Sequence, residues 1–197
     1  MGSCFFESAN IAQWEANGGA NQEWSFTTGA GHSANGQLKW KWVSSGVPSD
    51  AKLRIENAMN AAVAIYNYAG NWEDRTLSVE YNTGVPTADA NINGYIRFGS
   101  SSDYQNERTA LHEIGHTWGV GTSWKWGSLL QNIGDKSFFT GSRTKNLVKW
   151  YDGLGGYIQA DAMHFWPYGL NKNNQWSEQN AQRHTELVSA MVKDGIY

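Results

Sequence analysis

From residue 37 onward, apolar positions recur with either a two-residue or a 3.6-residue period. Leu38-Lys39-Trp40-Lys41-Trp42-Val43 alternates and predicts a strand, as does Leu77-Ser78-Val79-Glu80-Tyr81. Tyr95-Ile96-Arg97-Phe98, after Asn93-Gly94, predicts a further short strand. Between the first two strands a helix capped by Ser49 or Asp50 is expected through about Asn67, with apolar positions at Leu53, Ala58, Met59, Ala62, Val63 and Tyr66. A second helix starts near Asn106. Ser102 or Asp103 is its expected cap, Gln105 the partner three residues on, and Gly119 the residue able to take positive φ where it stops. Residues 120–160 are rich in Gly, Ser, Asn and Lys and read as long loops, apart from a short helix near Thr144–Trp150. The last helix runs from about Ser177 to Lys193 on a stripe of Ala181, His184, Leu187, Val188, Met191 and Val192.

Strands and helices in this order predict an α+β fold with a loop-rich C-terminal half closed by a helix. Residues 1–36 are polar and weakly patterned, so they form an N-terminal extension to a main domain at 37–197. The length, 197 residues, suits one substantial domain. A net charge of −3 with 17% charged residues argues against a nucleic-acid partner. No apolar run is long enough for a membrane span. Met1-Gly2-Ser3 resembles a cloning leader, and no signal peptide is visible. The single Cys4 excludes an intrachain disulfide, and sparing use of cysteine suits a secreted protein. Eleven Trp among 27 aromatic residues are more than such a domain fully buries, so some rings are expected at the surface as platforms for sugars or extended peptides. The alternative is a Trp-rich core with ring edges showing.

The chemistry concentrates in His112-Glu113-Ile114-Gly115-His116. Histidines at i and i+4 lie one turn apart on one helix face, where both can grip the same Zn²⁺. The intervening Glu113 can then polarise the water at the metal's open position. Gly115 is expected to let backbones pack closely beside the metal. Such a run arises by chance in about one chain in 150–200 of this length, so the helical context carries weight.

The run from His112 to Thr122 resembles the metzincin motif of zincin metalloproteases over its first eight positions. Where that motif returns a third His or Asp, this chain has Thr122, a poor zinc ligand. Asp161-Ala162-Met163-His164-Phe165 resembles the methionine turn that lies beneath the metal, with Met163 in the methionine position. His32 lies in the extension and His184 on a core stripe, which leaves His164 as the expected third ligand; Asp161 is the alternative, with Glu178 or another carboxylate behind it. Segments similar to His164-Phe165-Trp166-Pro167-Tyr168-Gly169-Leu170-Asn171 accompany His-Glu-x-x-His in secreted proteins that carry ricin-type lectin modules. Here Ile11–Phe26, with Gln22-x-Trp24, resembles one such lectin repeat, although one repeat cannot build a trefoil core and an ordinary hairpin is the alternative.

The resemblance implies a zincin-like fold: a mixed twisted sheet on the active-site helix and a second long helix. It also implies a secreted zinc endopeptidase, monomeric, acting on protein, peptide or glycoprotein, with carbohydrate a further partner. Glu113 would be the general base, Tyr168 the oxyanion donor, and Trp118 and Trp166 cleft walls or core fillers. The strand at 96–99 would run along the cleft, placing Ile96 and Phe98 against substrate. Two other readings stay open: a zincin-like module binding glycan or cell-wall material without catalysis, and a zinc hydrolase of a non-peptide bond. Ca²⁺ near Asp152 or the 171–174 run is a weaker expectation.

Overall fold

The computed structural model describes residues 37–197, so the lectin-like fragment, His32 and Cys4 lie outside the described residues. Among the described residues the fold is α+β, with four α-helices and two four-stranded sheets. The first sheet has the order β1-β2-β4-β3, formed by β1 (Leu38–Trp42), β2 (Arg75–Tyr81), β3 (Ala88–Asn91) and β4 (Tyr95–Phe98). β1, β2 and β4 run parallel, and β3 is antiparallel on β4. A parallel pair needs a long crossover, and α1 (Ser49–Ala69) supplies it between β1 and β2. The buried stripe of α1 is Ala51, Ile55, Ala58, Met59, Ala62 and Tyr66, whereas Leu53, expected on the apolar face, is exposed.

The expected strand along the cleft is not where the edge lies. β4 sits between β2 and β3, and both Ile96 and Phe98 are fully buried, so neither can touch a substrate. A turn through Asn93 and Gly94 (φ 82°) folds β3 back onto β4 and makes β3 the edge strand.

The motif helix α2 (Glu107–Thr117) is capped by Asn106, whose side-chain oxygen accepts from the Thr109 N–H at 3.0 Å. Ser102–Tyr104 is a separate 3₁₀ turn, and Gln105 is spent on Arg54 and the Gly99 carbonyl rather than on capping. Gly119, at φ 102°, ends the helix as expected. Gly115 faces Tyr66, His184 and Val188, so it serves the packing of α2 on α1 and α4 rather than the metal side.

The stretch expected as loops is more ordered. It holds the hairpin β5 (Leu130–Ile133) and β6 (Lys136–Phe139), the helix α3 (Ser142–Asp152), and the short strands β7 (Gln159–Ala160) and β8 (Phe165–Trp166), in sheet order β5-β6-β7-β8. α4 (Glu178–Met191) starts at Ser177, which caps the Asn180 N–H, and packs on α1, α2 and α3. A π turn at Val192–Ile196 follows, and its Asp194 accepts from the N–H groups of Arg143 and Thr144 at the start of α3. One continuous apolar core runs from Leu38 through both sheets to Ile196. Among the described residues, no helix is long and apolar enough to cross a membrane.

Candidate metal centre

His112 and His116 leave α2 one turn apart, and each has its Nδ1 engaged by a backbone carbonyl. His112 Nδ1 lies 2.7 Å from the Gly169 oxygen, and His116 Nδ1 lies 2.7 Å from the Val120 oxygen. A carbonyl only accepts, so both rings carry their proton on Nδ1 and turn a bare Nε2 lone pair inward. Those two Nε2 atoms are 3.1 Å apart. Two facing lone pairs repel, and a cation between them removes the repulsion. Burial also holds both imidazoles below the ordinary histidine range, most strongly His112, so they remain neutral donors.

His164 completes the group. Its ring centre lies 5.5 Å from that of His112 and 6.0 Å from that of His116, and one ligand atom of each of the three falls within 4.8 Å of the others. It reaches that place from a turn organised by Asp161. One Asp161 oxygen accepts from the Met163 and His164 N–H groups at 2.7 and 2.6 Å and stands 3.4 Å from His164 Nδ1. Burial alone would raise the Asp161 carboxyl, but those N–H bonds hold it below its usual range. Asp161 is thus the partner behind His164 and not itself a member of the group. A carboxylate behind a ligating imidazole fixes its orientation and raises its basicity.

Two turns meet beneath His164. Gly121, at φ 64°, lies so close to the other turn that a Cβ there would stand 2.5 Å from the Met163 Cα and carbonyl oxygen. Thr122 donates its hydroxyl to the His116 carbonyl, closing the helix end. The expected methionine floor is absent: the Met163 side chain is 43% exposed, and it is the residue's backbone that packs against Gly121.

Glu113, next to His112 on α2, is buried, and its Oε2 has no hydrogen-bond partner among the described residues. Burial pushes its carboxyl up to about 8; Asp89 on the edge strand adds to this, and the Arg108 guanidinium opposes it. An orphaned carboxylate oxygen costs stability unless a water, proton or cation serves it. The donor set therefore suits zinc: the neutral imidazoles of His112 and His116, each with its tautomer set by a carbonyl behind it, and the ring of His164 within reach of both.

The remaining expected residues divide. Trp166 is half-buried with its ring centre 6.0 Å from that of His164, and so stands beside the group. Trp118 is a core filler at 2% exposure, stacked on Trp72 and under the Arg75 guanidinium. The Tyr168 hydroxyl is already engaged, donating to Asp152 at 2.5 Å and accepting from Arg183 at 2.8 Å, so it is not free as an oxyanion donor. The same contacts occupy Asp152, which weakens it as a Ca²⁺ ligand. Glu178 lies in the first turn of α4 and is no part of the histidine group. His184 is a core histidine as expected, between the Tyr168 carbonyl, the Leu111 carbonyl and the Tyr66 hydroxyl. The sequence reading missed Arg108, four residues before His112 and so on its helix face, and Asp89, in a strand with no alternation to reveal it. No family model, curated protein or solved structure matches the chain.

Proposed function

We propose that the chain is a zinc-dependent hydrolase of zincin type, an endopeptidase acting outside the cell. The observation that carries this reading is the pair of bare Nε2 atoms 3.1 Å apart, with the third imidazole of His164 beside them. His112, His116 and His164 would hold the zinc, which when bound supplies an acidified water and a polarised substrate carbonyl. Glu113 takes the water proton at Oε2, the oxygen that has no partner in the resting chain, and returns it to the leaving amine. Arg108 pulls against the burial that holds this carboxyl at about 8, toward the ionised, proton-accepting form. The role of cleft strand passes from 96–99 to β3, which has no strand on its outer side among the described residues and so leaves that side to an extended peptide. Trp166 forms a wall beside His164.

Exposed Trp124 and Trp150 support a second reading, a glycan-binding module built on the same frame. One experiment separates the two. The purified chain should carry one zinc, and Glu113→Gln should keep it while losing about 10²–10⁴-fold in cleavage of an unfolded protein mixture. A Glu113→Gln protein that cleaves at the native rate overturns the mechanism. Zinc-loaded wild type that binds glycan and cleaves nothing favours the second reading.

A further inference from the structure

Three consecutive carbonyls, those of Tyr168, Gly169 and Leu170, each accept from a different side chain, two of them buried and that of His112 partly so. The donors are His184 Nδ1 at 2.8 Å, His112 Nδ1 at 2.7 Å and Arg108 Nη1 at 2.8 Å. For neighbouring carbonyls to reach α4 and two turns of α2, the chain between them must bend sharply. Tyr168 (φ 67°) and Leu170 (φ 53°) both lie in the left-handed region. Residues with a side chain stay there only when their surroundings hold them. Gly169 leaves no slack, because a Cβ there would stand 2.0 Å from the Phe165 carbonyl oxygen.

Beyond the His184 bond to its carbonyl, Tyr168 is held by its side chain. Its hydroxyl donates to Asp152 at the end of α3 and accepts from Arg183 on α4. The Arg183 guanidinium lies over the Tyr168 ring at 5.2 Å and over the Tyr151 ring at 4.7 Å, and it stands 4.0 Å from Asp152. Tyr151 in turn bonds Glu186. This cluster touches none of the three histidines directly. It reaches them through one peptide, since the carbonyl after Tyr168 is the one that sets the His112 tautomer.

We propose that Arg183 is a positioning residue for the metal centre. By gripping the Tyr168 hydroxyl it holds the left-handed bend, keeps the Gly169 carbonyl on His112 Nδ1, and so points His112 Nε2 at the metal position. This deepens the zinc reading and rests on it. A merely structural clasp between α3 and α4 would affect stability and leave the metal untouched.

The test uses Arg183→Gln and Tyr168→Phe, with Tyr151→Phe as the comparison, because that change removes a hydroxyl from the same cluster without touching the grip on Tyr168. Zinc affinity is read by chelator competition, ligand geometry from the visible bands of the Co²⁺-substituted protein, and folding by circular dichroism and melting. Arg183→Gln and Tyr168→Phe should each lose about 10–100-fold in zinc affinity and shift the Co²⁺ bands. Tyr151→Phe should lower the melting temperature and keep the wild-type affinity and bands. If Arg183→Gln does not fold, Tyr168→Phe, the smaller change, decides. Folded variants that bind zinc as tightly as wild type overturn the proposal, and so does a Tyr151→Phe protein that loses as much affinity as the others. A wild-type chain that binds neither Zn²⁺ nor Co²⁺ overturns the metal reading itself, a result visible before any variant is made.

Discussion

On the zinc reading, Gly121→Ala should weaken metal binding well before it costs the fold. Two effects add at this position. The backbone is left-handed at φ 64°, where a side chain costs about 1 kcal/mol or somewhat more. The new Cβ would also stand 2.5 Å from the Cα and carbonyl oxygen of Met163, both rigid backbone atoms. Ordinary contact there needs roughly 1 Å more, and that displacement must be taken up between the turn after α2 and the turn that carries His164. Zn–N bonds are about 2.0–2.1 Å long and tolerate a few tenths of an ångström, so a ligand moved by about 1 Å no longer binds well. Zinc affinity should fall by at least about 10–100-fold, the range seen when support behind a ligand is lost. Gly134→Ala supplies the matched control: Gly134 has the same left-handed backbone (φ 63°), but its Cβ would point into open space. It should lose about 1 kcal/mol of stability in urea titration and retain wild-type zinc affinity. Chelator competition on both variants, each checked for folding, reads the difference. Equal zinc affinity in Gly121→Ala and Gly134→Ala would refute the reasoning.

Two further expectations concern stability. His184 is fully buried and its pKa is lowered to about 4, chiefly by burial, so the folded state keeps it neutral while the unfolded chain protonates near 6.5. The unfolded state then binds more protons between those values, and stability falls as pH drops from about 6.5 to about 4, by about 3 kcal/mol from this group. His112 and His116 push in the same direction in metal-free protein. Urea titrations of chelator-treated wild type and His184→Gln across that window should show a shallower pH slope for the variant, and parallel slopes would count against the assignment. Asp194→Ala should cost about 1–2 kcal/mol, because Gly141 at the start of α3 has no capping side chain and Asp194 accepts from the Arg143 and Thr144 N–H groups in its place. A change in urea midpoint within error would show that α3 does not depend on this cap.

What the sequence revealed depended on whether side chains or backbone carried the information. α2 was legible because His112, Glu113 and His116 fall on a helical period and Gly119 marks its end. α4 was legible from its stripe and Ser177. β3 was not, since Ala88-Asp89-Ala90-Asn91 is small and polar with no alternation, and Asn93-Gly94 announced a turn whose first strand had no signature of its own. That omission shifted the edge by one strand and assigned substrate contacts to Ile96 and Phe98, which are core. The β5–β6 hairpin did carry a cue, Gly134-Asp135 between short apolar runs, in a stretch whose composition suggested loops. At the site, His164 could be found because it is a side chain, and Asp161 three residues earlier is a readable orienting partner. The Gly169 and Val120 carbonyls that set the tautomers could not be found, because a backbone acceptor looks the same at every residue.

The histidine group also has a bearing on chain topology. His116 and His164 are 48 positions apart, and the chain's single cysteine can form no intrachain bridge. A metal held by these two residues would tie the two halves of the domain together as a covalent link does. Closing a loop of that length restricts an unfolded chain by about 4 kcal/mol when the tie persists. The tie is reversible, however, and its strength follows the supply of free metal. Zinc would then act as this protein's cross-link as well as its reagent, and metal scarcity would remove both together.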